Sequence, residues 1–221
     1  MYTIVVGAGR TGNKVIELAT QDDNEVVAIE HDQGLAEEVS AIYDCTVINA
    51  DVASEESMLE AGIQEADALI SATENDSVNL MISMLSKQYG VETLVSSIND
   101  PEHMELFGDL RVSAVESPHE LSGQYLYRAV QRPAIRDFME IGGGGKIFEL
   151  TVKEGTPIAG VSLVDADSEG SLSQEIIIVA IVRDGDLHIP RGELDIQAGD
   201  TVTIFAKNGA SDNITDAFTG P

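Results

Sequence analysis

Three glycines near the start of the chain have the spacing of a phosphate-binding loop. Gly7, Gly9 and Gly12 form a G-x-G-x-x-G pattern that directly follows the apolar run at residues 2–6. In this pattern the first glycine permits a tight turn, the second lets the backbone approach a pyrophosphate, and the third lets a helix pack closely on a sheet. Phosphates bound there lie at the helix N-terminus, where backbone N–H groups lack partners. The predicted phosphate-binding residues are Gly7, Ala8, Gly9, Arg10, Thr11 and Gly12.

An acidic residue ends the second apolar run of the chain. Glu30 follows residues 25–29 and lies near the distance of ~20 residues from the glycine pattern at which a ribose-binding acid is found. We expect its carboxylate to accept hydrogen bonds from ribose hydroxyls. Its charge would repel a 2′-phosphate, so NAD(H) is favoured over NADP(H), while ATP or ADP would present the same adenosine. His31 would pack on the rim of the adenine.

The ends of two later apolar runs supply the other candidate site residues. Ala50 and Asp51 follow the third run and are expected near the adenine, whereas Thr73 and Glu74 follow the fourth and are expected near the second half of a dinucleotide. Parallel sheets bind ligands beyond the carboxyl ends of their strands, so these positions predict one crevice. For the two acids, and for Arg10, a merely solvated side chain is the alternative interpretation.

The sequence contains no pattern that indicates a metal site or a catalytic site. The four histidines are dispersed without ligand spacing, and Cys45 is the single cysteine, which excludes an intrachain disulfide and a cysteine metal cluster. The sequence therefore predicts no metal site and no catalytic residue.

These site residues require a particular arrangement of elements. Up to residue 116 short apolar runs alternate with helical patterns, which predicts an α/β domain with a Rossmann-like, doubly wound parallel sheet. Residues 117–140 are interpreted as a crossover helical linker whose apolar face is either core or a subunit interface. Residues 141–208 are predicted to form a second, smaller α+β domain, mostly β. The residues beyond it, 209–221, are expected to be a frayed polar tail.

The run Gly142, Gly143, Gly144 and Gly145 precedes a strand and lacks the Lys-Ser/Thr pair of a phosphate loop. It is interpreted as a flexible joint. From its placement alone, this joint is expected to carry a conformational change of the protein together with the helical pattern at residues 121–130.

Charge is the unusual property of this chain. Its 221 residues include 39 Asp and Glu against 12 Lys and Arg, a net charge of −27. A small domain needs only roughly 2–8 charges for solubility. Such an excess excludes nucleic acid as a partner. It indicates a halophilic source, where salt screens the self-repulsion, with an ordinary acidic protein as the alternative.

No apolar stretch approaches the ~20 residues of a membrane-spanning helix, and the N-terminus carries no signal pattern. We therefore expect a cytoplasmic protein.

Several segments along nearly the whole chain resemble the RCK or KTN modules of TrkA-type regulators of potassium uptake, including their TrkA-C domain. The segments that carry the resemblance are residues 5–10, 49–51, 61–79, 149–157, 181–185, 189–192 and 198–202. The chain departs from the family pattern at Ser97, where an arginine is frequent. Some relatives carry two such units in tandem, whereas this chain has one.

The resemblance implies a cytoplasmic, nucleotide-sensing regulatory subunit and no turnover chemistry. It implies a homo-oligomeric ring, whether dimer, tetramer or octamer, on the inner face of the cell membrane. The ring would gate a membrane-embedded potassium transporter pore subunit of the TrkH or KtrB kind. The nucleotide is expected to be NAD(H), with ATP or ADP as the alternative.

Two other functions stay open at this point. An NAD-dependent oxidoreductase would need an acid–base group facing the nicotinamide, and Tyr125 and Tyr127 lack a lysine at helical spacing. An RCK regulator of another cation channel or antiporter would have the same sequence features.

Overall fold

The computed structural model describes residues 1–51 and 54–220, which form two compact units, Met1–Gly123 and Gln124–Pro221. Within these described ranges every helix is too short or too polar to cross a lipid bilayer.

The first unit is built on a six-stranded parallel sheet with the strand order β3-β2-β1-β4-β5-β6. Its strands are β1 (Tyr2–Val6), β2 (Glu25–Glu30), β3 (Thr46–Asn49), β4 (Ala68–Ser71), β5 (Thr93–Ser97) and β6 (Ala114–Glu116). Its helices are α1 (Arg10–Gln21), α2 (Gln33–Ile42), α3 (Glu55–Glu60), α4 (Asp76–Gln88) and α5 (Met104–Asp109), and α6 (Pro118–Gln131) begins in this unit. The strand order reverses between β1 and β4, as in a doubly wound sheet. The Rossmann-like prediction is therefore confirmed.

Strand β1 lies at the centre of this sheet because both of its faces are apolar. Ile4 and Val6 pack with Leu69 on one face, and Val5 packs with Ile16 on the other. All five side chains are at most 1% exposed. A strand that is buried on both faces has a continuous run of apolar residues in the sequence. This run is the reason that β1 could be predicted from the sequence.

The second unit contains a five-stranded antiparallel sheet with the order β11-β10-β13-β8-β7 and a two-stranded sheet of β12 and β9. Its strands are β7 (Ile135–Ile141), β8 (Gly145–Thr151), β9 (Val161–Ser162), β10 (Ile176–Arg183), β11 (Asp186–His188), β12 (Asp195–Ile196) and β13 (Thr201–Ala206). Its helices are α7 (Leu163–Ser168) and α8 (Asp212–Thr219). The prediction of a second, mostly β domain is confirmed.

An ion pair between a partly exposed arginine and a buried aspartate joins the end of β10 to the residue before β13. Arg183 donates from Nε to Oδ1 of Asp200 at 2.7 Å and from Nη2 to Oδ2 at 2.8 Å. Asp200 is 1% exposed, and its carboxylate also accepts the N–H of Gln197. Burial alone would raise the pKa of Asp200, but the hydrogen bonds from Arg183 and Gln197 outweigh it and hold the pKa below the ordinary value.

The glycine run is a hairpin turn, and its interpretation as a flexible joint is wrong. Strands β7 and β8 pair as antiparallel neighbours with Ile141 opposite Gly145. Gly143 and Gly144 both have a φ of +89°, a backbone conformation that glycine adopts readily. The run thus lies inside the second unit.

The predicted helical linker, residues 117–140, is helical only to Gln131, because its last part is strand β7.

The end of the chain also differs from the expected frayed tail. Residues 212–219 form α8, in which Ile214 and Phe218 are 5% and 0% exposed. The backbone carbonyl of Phe218 accepts the N–H of Lys153 at 2.9 Å. These two apolar residues lie four positions apart, which places them on one face of a helix that packs on the core.

Candidate functional site

The fold itself requires the first and third glycines of the loop between β1 and α1. Gly7 has a φ of +90°, and a Cβ there would lie 3.0 Å from the carbonyl oxygen of Ala72. A Cβ at Gly12 would lie 1.8 Å from the carbonyl oxygen of Gly7. Helix α1 can therefore approach the loop only because residue 12 has no side chain.

Gly9 has no such structural requirement. A Cβ at Gly9 would meet nothing within 4 Å, and its φ of −61° is accessible to any residue. Gly9 is the N-cap of α1, no side chain caps this helix, and its first turn contains no acidic residue. The first turn thus has neither a capping side chain nor an acidic residue to satisfy its N–H groups, and such a helix N-terminus favours the binding of an anion. The bare backbone at Gly9 fits the close approach of a phosphate.

The other predicted loop residues lie around Gly9. Arg10 begins α1 with an exposed side chain, and Thr11 follows it half-buried. A guanidinium at the first helical position can reach a phosphate bound over the helix end.

Glu30 is buried at the base of the glycine loop. Its Oε2 accepts the N–H of Ala8 at 2.6 Å, and its Oε1 accepts the N–H of Asp32 at 2.9 Å. The Nδ1 atom of His31 lies 2.7 Å from the same Oε1, and the His31 side chain is 76% exposed. Sequence reasoning assigned Glu30 to a ribose and missed its contacts with the loop. The structure shows that this carboxylate also fixes the loop and the start of α2.

The end of β3 is tied to the end of β2 by backbone and amide hydrogen bonds. Ala50 donates its N–H to the carbonyl oxygen of Glu30 at 3.1 Å. The side chain of Asn49 donates to the same oxygen at 2.8 Å and to the carbonyl oxygen of His31 at 3.1 Å. Asn49 is therefore a positioning residue for the adjoining candidates.

Five of the predicted site residues line one cleft of about 690 Å³. These are His31, Ala50, Asp51, Thr73 and Glu74, which come from the ends of three strands, and Asn75 and Val78 complete the described lining. The glycine loop adjoins this cleft, since a Cβ at Gly7 would lie 3.1 Å from Cγ2 of Thr73. The volume falls within the range of small-ligand sites.

A buried asparagine that the sequence analysis did not assign holds the β4 end of this cleft. Asn79 is 0% exposed, and its Oδ1 accepts the Thr73 hydroxyl at 2.7 Å and the Thr73 N–H at 3.1 Å. Its Nδ2 donates to the carbonyl oxygens of Thr73 and Ser97, both at 3.0 Å. Both the oxygen and the nitrogen of this amide therefore form hydrogen bonds with residues at the ends of β4 and β5. An asparagine within the apolar run of α4 was the available signal.

Asp76 is a second group that sequence reasoning missed. Its Oδ1 accepts the N–H of Asn99 at 2.8 Å, and its Oδ2 accepts the N–H of Asp100 at 2.9 Å and lies 2.8 Å from Nδ1 of His103. Asn99 Nδ2 donates to the carbonyl oxygen of Glu74 at 3.0 Å, so the cluster supports the cleft wall.

The hydrogen bonds of this cluster change two pKa values. The hydrogen bond to Asp76 raises the pKa of His103, and the nearby carboxylates of Asp100 and Glu102 add to it. Burial acts to raise the pKa of Asp76, but its hydrogen bonds from His103, Asp100 and Asn99 prevail and lower it.

In the part of the chain that the structure describes, no group of three or more His, Cys, Asp or Glu side chains could hold a metal ion.

Two known domain families match the chain. Residues 3–118 match the TrkA-N domain, and residues 147–219 match the TrkA-C domain. The chain is 29% identical to the Trk system potassium uptake protein TrkA homolog of Methanothermobacter thermautotrophicus, with all of both chains covered. It is 28% identical to the homolog of Pyrococcus abyssi, covering 97% of this chain and 96% of that one.

Solved structures share the fold at low sequence identity. The GsuK channel bound to NAD superposes on 98% of this chain with a TM-score of 0.66 and 16% identity, and this chain spans 38% of it. A Kef C-terminal domain of Shewanella denitrificans in AMP-bound form covers 60% of this chain with a TM-score of 0.53 and 21% identity, and 81% of that domain is spanned. GsuK bound to ADP gives a TM-score of 0.53 at 17% identity over 60% of this chain and 34% of that one. The TrkA-N match extends over more than half of the sequence, and the chain therefore belongs to the TrkA-N domain family, with a TrkA-C domain following it.

Proposed function

We propose that this chain is a cytoplasmic, nucleotide-sensing regulatory subunit of a potassium transport system. The observation that carries the proposal is the uncapped N-terminus of α1 at Gly9, beside the buried Glu30 and the cleft at the strand ends. The relatives named as Trk potassium uptake proteins support the transport role. The fold neighbours bound to NAD, AMP and ADP support a nucleotide ligand.

The proposed ligand is NAD(H), with ATP or ADP as the alternative. The first-turn N–H groups of α1, with Arg10, would bind the phosphates. Ala8 keeps its N–H on Glu30, so it contributes by shaping the loop. A carboxylate oxygen has more than one lone pair, so Glu30 can accept a ribose hydroxyl while holding the loop.

The remaining candidates have roles that follow from their places around the cleft. His31 would contact the adenine rim, and Ala50 with Asp51 would contact the adenine itself. Thr73 and Glu74 would contact the second half of a dinucleotide, where ATP or ADP has no equivalent group.

Regulation requires that the nucleotide bind two conformations of the subunit with different affinities. A coupling of ~1–3 kcal/mol per site is typical, and a ligand with equal affinity for both states changes nothing. Asn79 is placed to transmit such a difference, because it joins Thr73 in the cleft to Ser97 at the end of β5.

A homo-oligomeric ring on the inner face of the membrane, in contact with a potassium transporter pore subunit, is part of the proposal. Helix α6 supports an assembly role, because Leu126 and Val130 are 66% and 81% exposed and the helix contains no buried residue. Apolar side chains exposed together on one element are typical of an interaction surface.

The direct test is calorimetric titration of the purified chain with NADH, NAD, ATP and ADP. The matched control is Gly9→Asp, because an aspartate fits the open space at Gly9, is a favourable N-cap, and would occupy and repel the phosphate site. We expect saturable binding that Gly9→Asp abolishes without loss of folding. Absence of binding by all four nucleotides would refute nucleotide sensing. Turnover of NAD with alcohols or acids would instead establish an oxidoreductase.

A further inference from the structure

One cavity of the second unit concentrates positive charge in a chain that is strongly acidic. The cavity has a volume of about 410 Å³, and Arg128, Arg132 and Lys146 line it. The whole chain has 12 Lys and Arg against 39 Asp and Glu, yet the described lining of this cavity contains three bases and no acid. This local reversal of charge is not explained by the nucleotide cleft of the first unit.

The lining of the cavity also includes the residues that lead into helix α8. Asn208 to Ser211 line the cavity, and Ser211 is the N-cap of α8 without a side-chain hydrogen bond to the helix. Gly209 has a φ of +85°, and the space that a Cβ would fill there is taken by the aliphatic stem of Lys146, with Cδ 3.2 Å from the Cβ position. The glycine therefore lets Lys146 lie along this loop and extend toward the same cavity.

Two of the three cations contact neighbouring polar groups. Arg128 donates to Gln124 from Nη2 at 3.0 Å, and Nζ of Lys146 lies 3.4 Å from Oε1 of Glu140. The nearby Glu175 carboxylate accepts a hydrogen bond from Asn208 at 2.8 Å. Glu140 and Glu175 thus contact lining residues but are not part of the described lining themselves.

We propose that this cavity is a second ligand site, selective for the phosphate group of a small phosphorylated molecule. Arginine provides a planar fork that matches phosphate, and lysine adds a point charge. Exposed charges farther away than about 8 Å are screened at physiological salt, so most of the acids of the chain oppose a bound anion only weakly. Glu140, which contacts Lys146, and Glu175, which contacts Asn208, are acids within that distance. The volume accommodates a molecule larger than inorganic phosphate alone.

The test uses pyrophosphate as the probe and the full chain carrying Gly9→Asp, so that phosphate binding at α1 does not contribute. Calorimetry at constant ionic strength is expected to show one saturable site per chain. Arg132→Gln should weaken pyrophosphate binding at least about tenfold, because it removes a charged hydrogen-bond donor. Arg132→Lys should restore part of the affinity. The matched control is Arg136→Gln, which removes an exposed arginine on β7 outside the described lining and should change the affinity by less than about twofold.

Two alternative explanations can be distinguished by experiment: that Arg132 only stabilises the fold, and that the bound phosphate belongs to a lipid headgroup. A structural role would lower the melting temperature of Arg132→Gln without ligand and leave the affinity of the folded fraction unchanged. Arg132-dependent sedimentation with phosphatidylglycerol vesicles, but not with phosphatidylcholine vesicles, would identify a lipid headgroup as the phosphate source. No saturable binding of pyrophosphate or vesicles, or equal weakening by Arg132→Gln and Arg136→Gln, overturns the proposal. Nucleotide binding by the chain with Gly9 intact is measured separately, so failure here leaves the proposed function standing.

Discussion

The carboxylate of Glu30 accepts the N–H of Ala8 at 2.6 Å, so the end of β2 holds the loop between β1 and α1. The same carboxylate accepts the N–H of Asp32, whose side chain caps α2 through the N–H of Leu35. One buried charge therefore fixes the start of α2 and the shape of the glycine loop. The first unit holds this part of its candidate site in place through its own hydrogen bonds.

Glu30→Gln should destabilise the first unit by about 1–3 kcal/mol, because either the buried N–H of Ala8 or the partly buried N–H of Asp32 would face an amide NH₂ instead of an acceptor. The variant should also discriminate less against NADP, since the charge that repels a 2′-phosphate is gone. Urea unfolding and paired titrations with NAD and NADP measure the two effects. Glu74→Gln is the control, because Glu74 is an exposed acid of the cleft, and it should leave the stability within ~0.5 kcal/mol. Equal stability of the two variants would contradict the role of Glu30 in the loop.

Gly12→Ala and Gly9→Ala should differ sharply although both alter the same motif. A methyl group at residue 12 would overlap the carbonyl oxygen of Gly7, so the loop or α1 must shift, at a cost of more than about 2 kcal/mol. A methyl group at residue 9 meets nothing within 4 Å, and Gly9→Ala should stay within about 1 kcal/mol of the original chain while binding nucleotide more weakly. Urea unfolding with calorimetry separates the two outcomes. Similar stability losses at both positions would show that Gly9 also has a structural role.

The sequence predicted the first unit well because its signals are local. Apolar runs such as residues 2–6 are buried on both faces, and the glycine motif follows one of them directly. The strand ends that carry His31, Asp51 and Glu74 meet in one cleft because all the strands of this sheet run parallel.

The features that the sequence did not predict depend on partners distant in the chain. Asn79 reaches Ser97, and Asp76 reaches Asn99 and His103. The polar residue within the apolar run of α4 marks Asn79 as unusual, but no local pattern identifies the partners of either residue. The sequence analysis missed strand β7 because two adjacent charged residues interrupt its alternation of apolar and polar side chains. Without a predicted strand before it, the glycine run could not be identified as the turn of a hairpin. Composition alone does not distinguish a hairpin turn from a joint.

The Asp76–His103 contact should make stability depend on pH at both ends of a window. The pKa of His103 is raised, so its contribution is complete below the unfolded value of about 6.5 and is lost as the pH rises through the folded value. The pKa of Asp76 is lowered, so its contribution is present above about 3.9 and is lost as the pH falls through the folded value. The combined contribution is therefore greatest between about pH 4 and pH 6.5.

His103→Gln tests this dependence, because glutamine keeps a donor for Asp76 but does not titrate in this range. The melting temperature of the original chain should exceed that of the variant within the window, and the difference should shrink above it. His119→Gln, an exposed histidine on α6, should follow the original chain at every pH. A constant difference between His103→Gln and the original chain from pH 5 to pH 9 would contradict the assignment.

Phe218→Ala should destabilise the second unit by about 3–5 kcal/mol, even though residue 218 is only a few positions from the end of the chain. Its ring is 0% exposed in the core that includes Phe148 and Leu150, and its carbonyl oxygen accepts the N–H of Lys153. Asn213→Ala changes an exposed position of the same helix and should cost less than ~0.5 kcal/mol. Urea unfolding of the full chain, followed through the transition of the second unit, measures both. If α8 were a frayed tail, both variants would have nearly the same free energy of unfolding as the original chain. A large difference instead requires the helix to be docked, since only a packed side chain leaves a cavity when it is truncated.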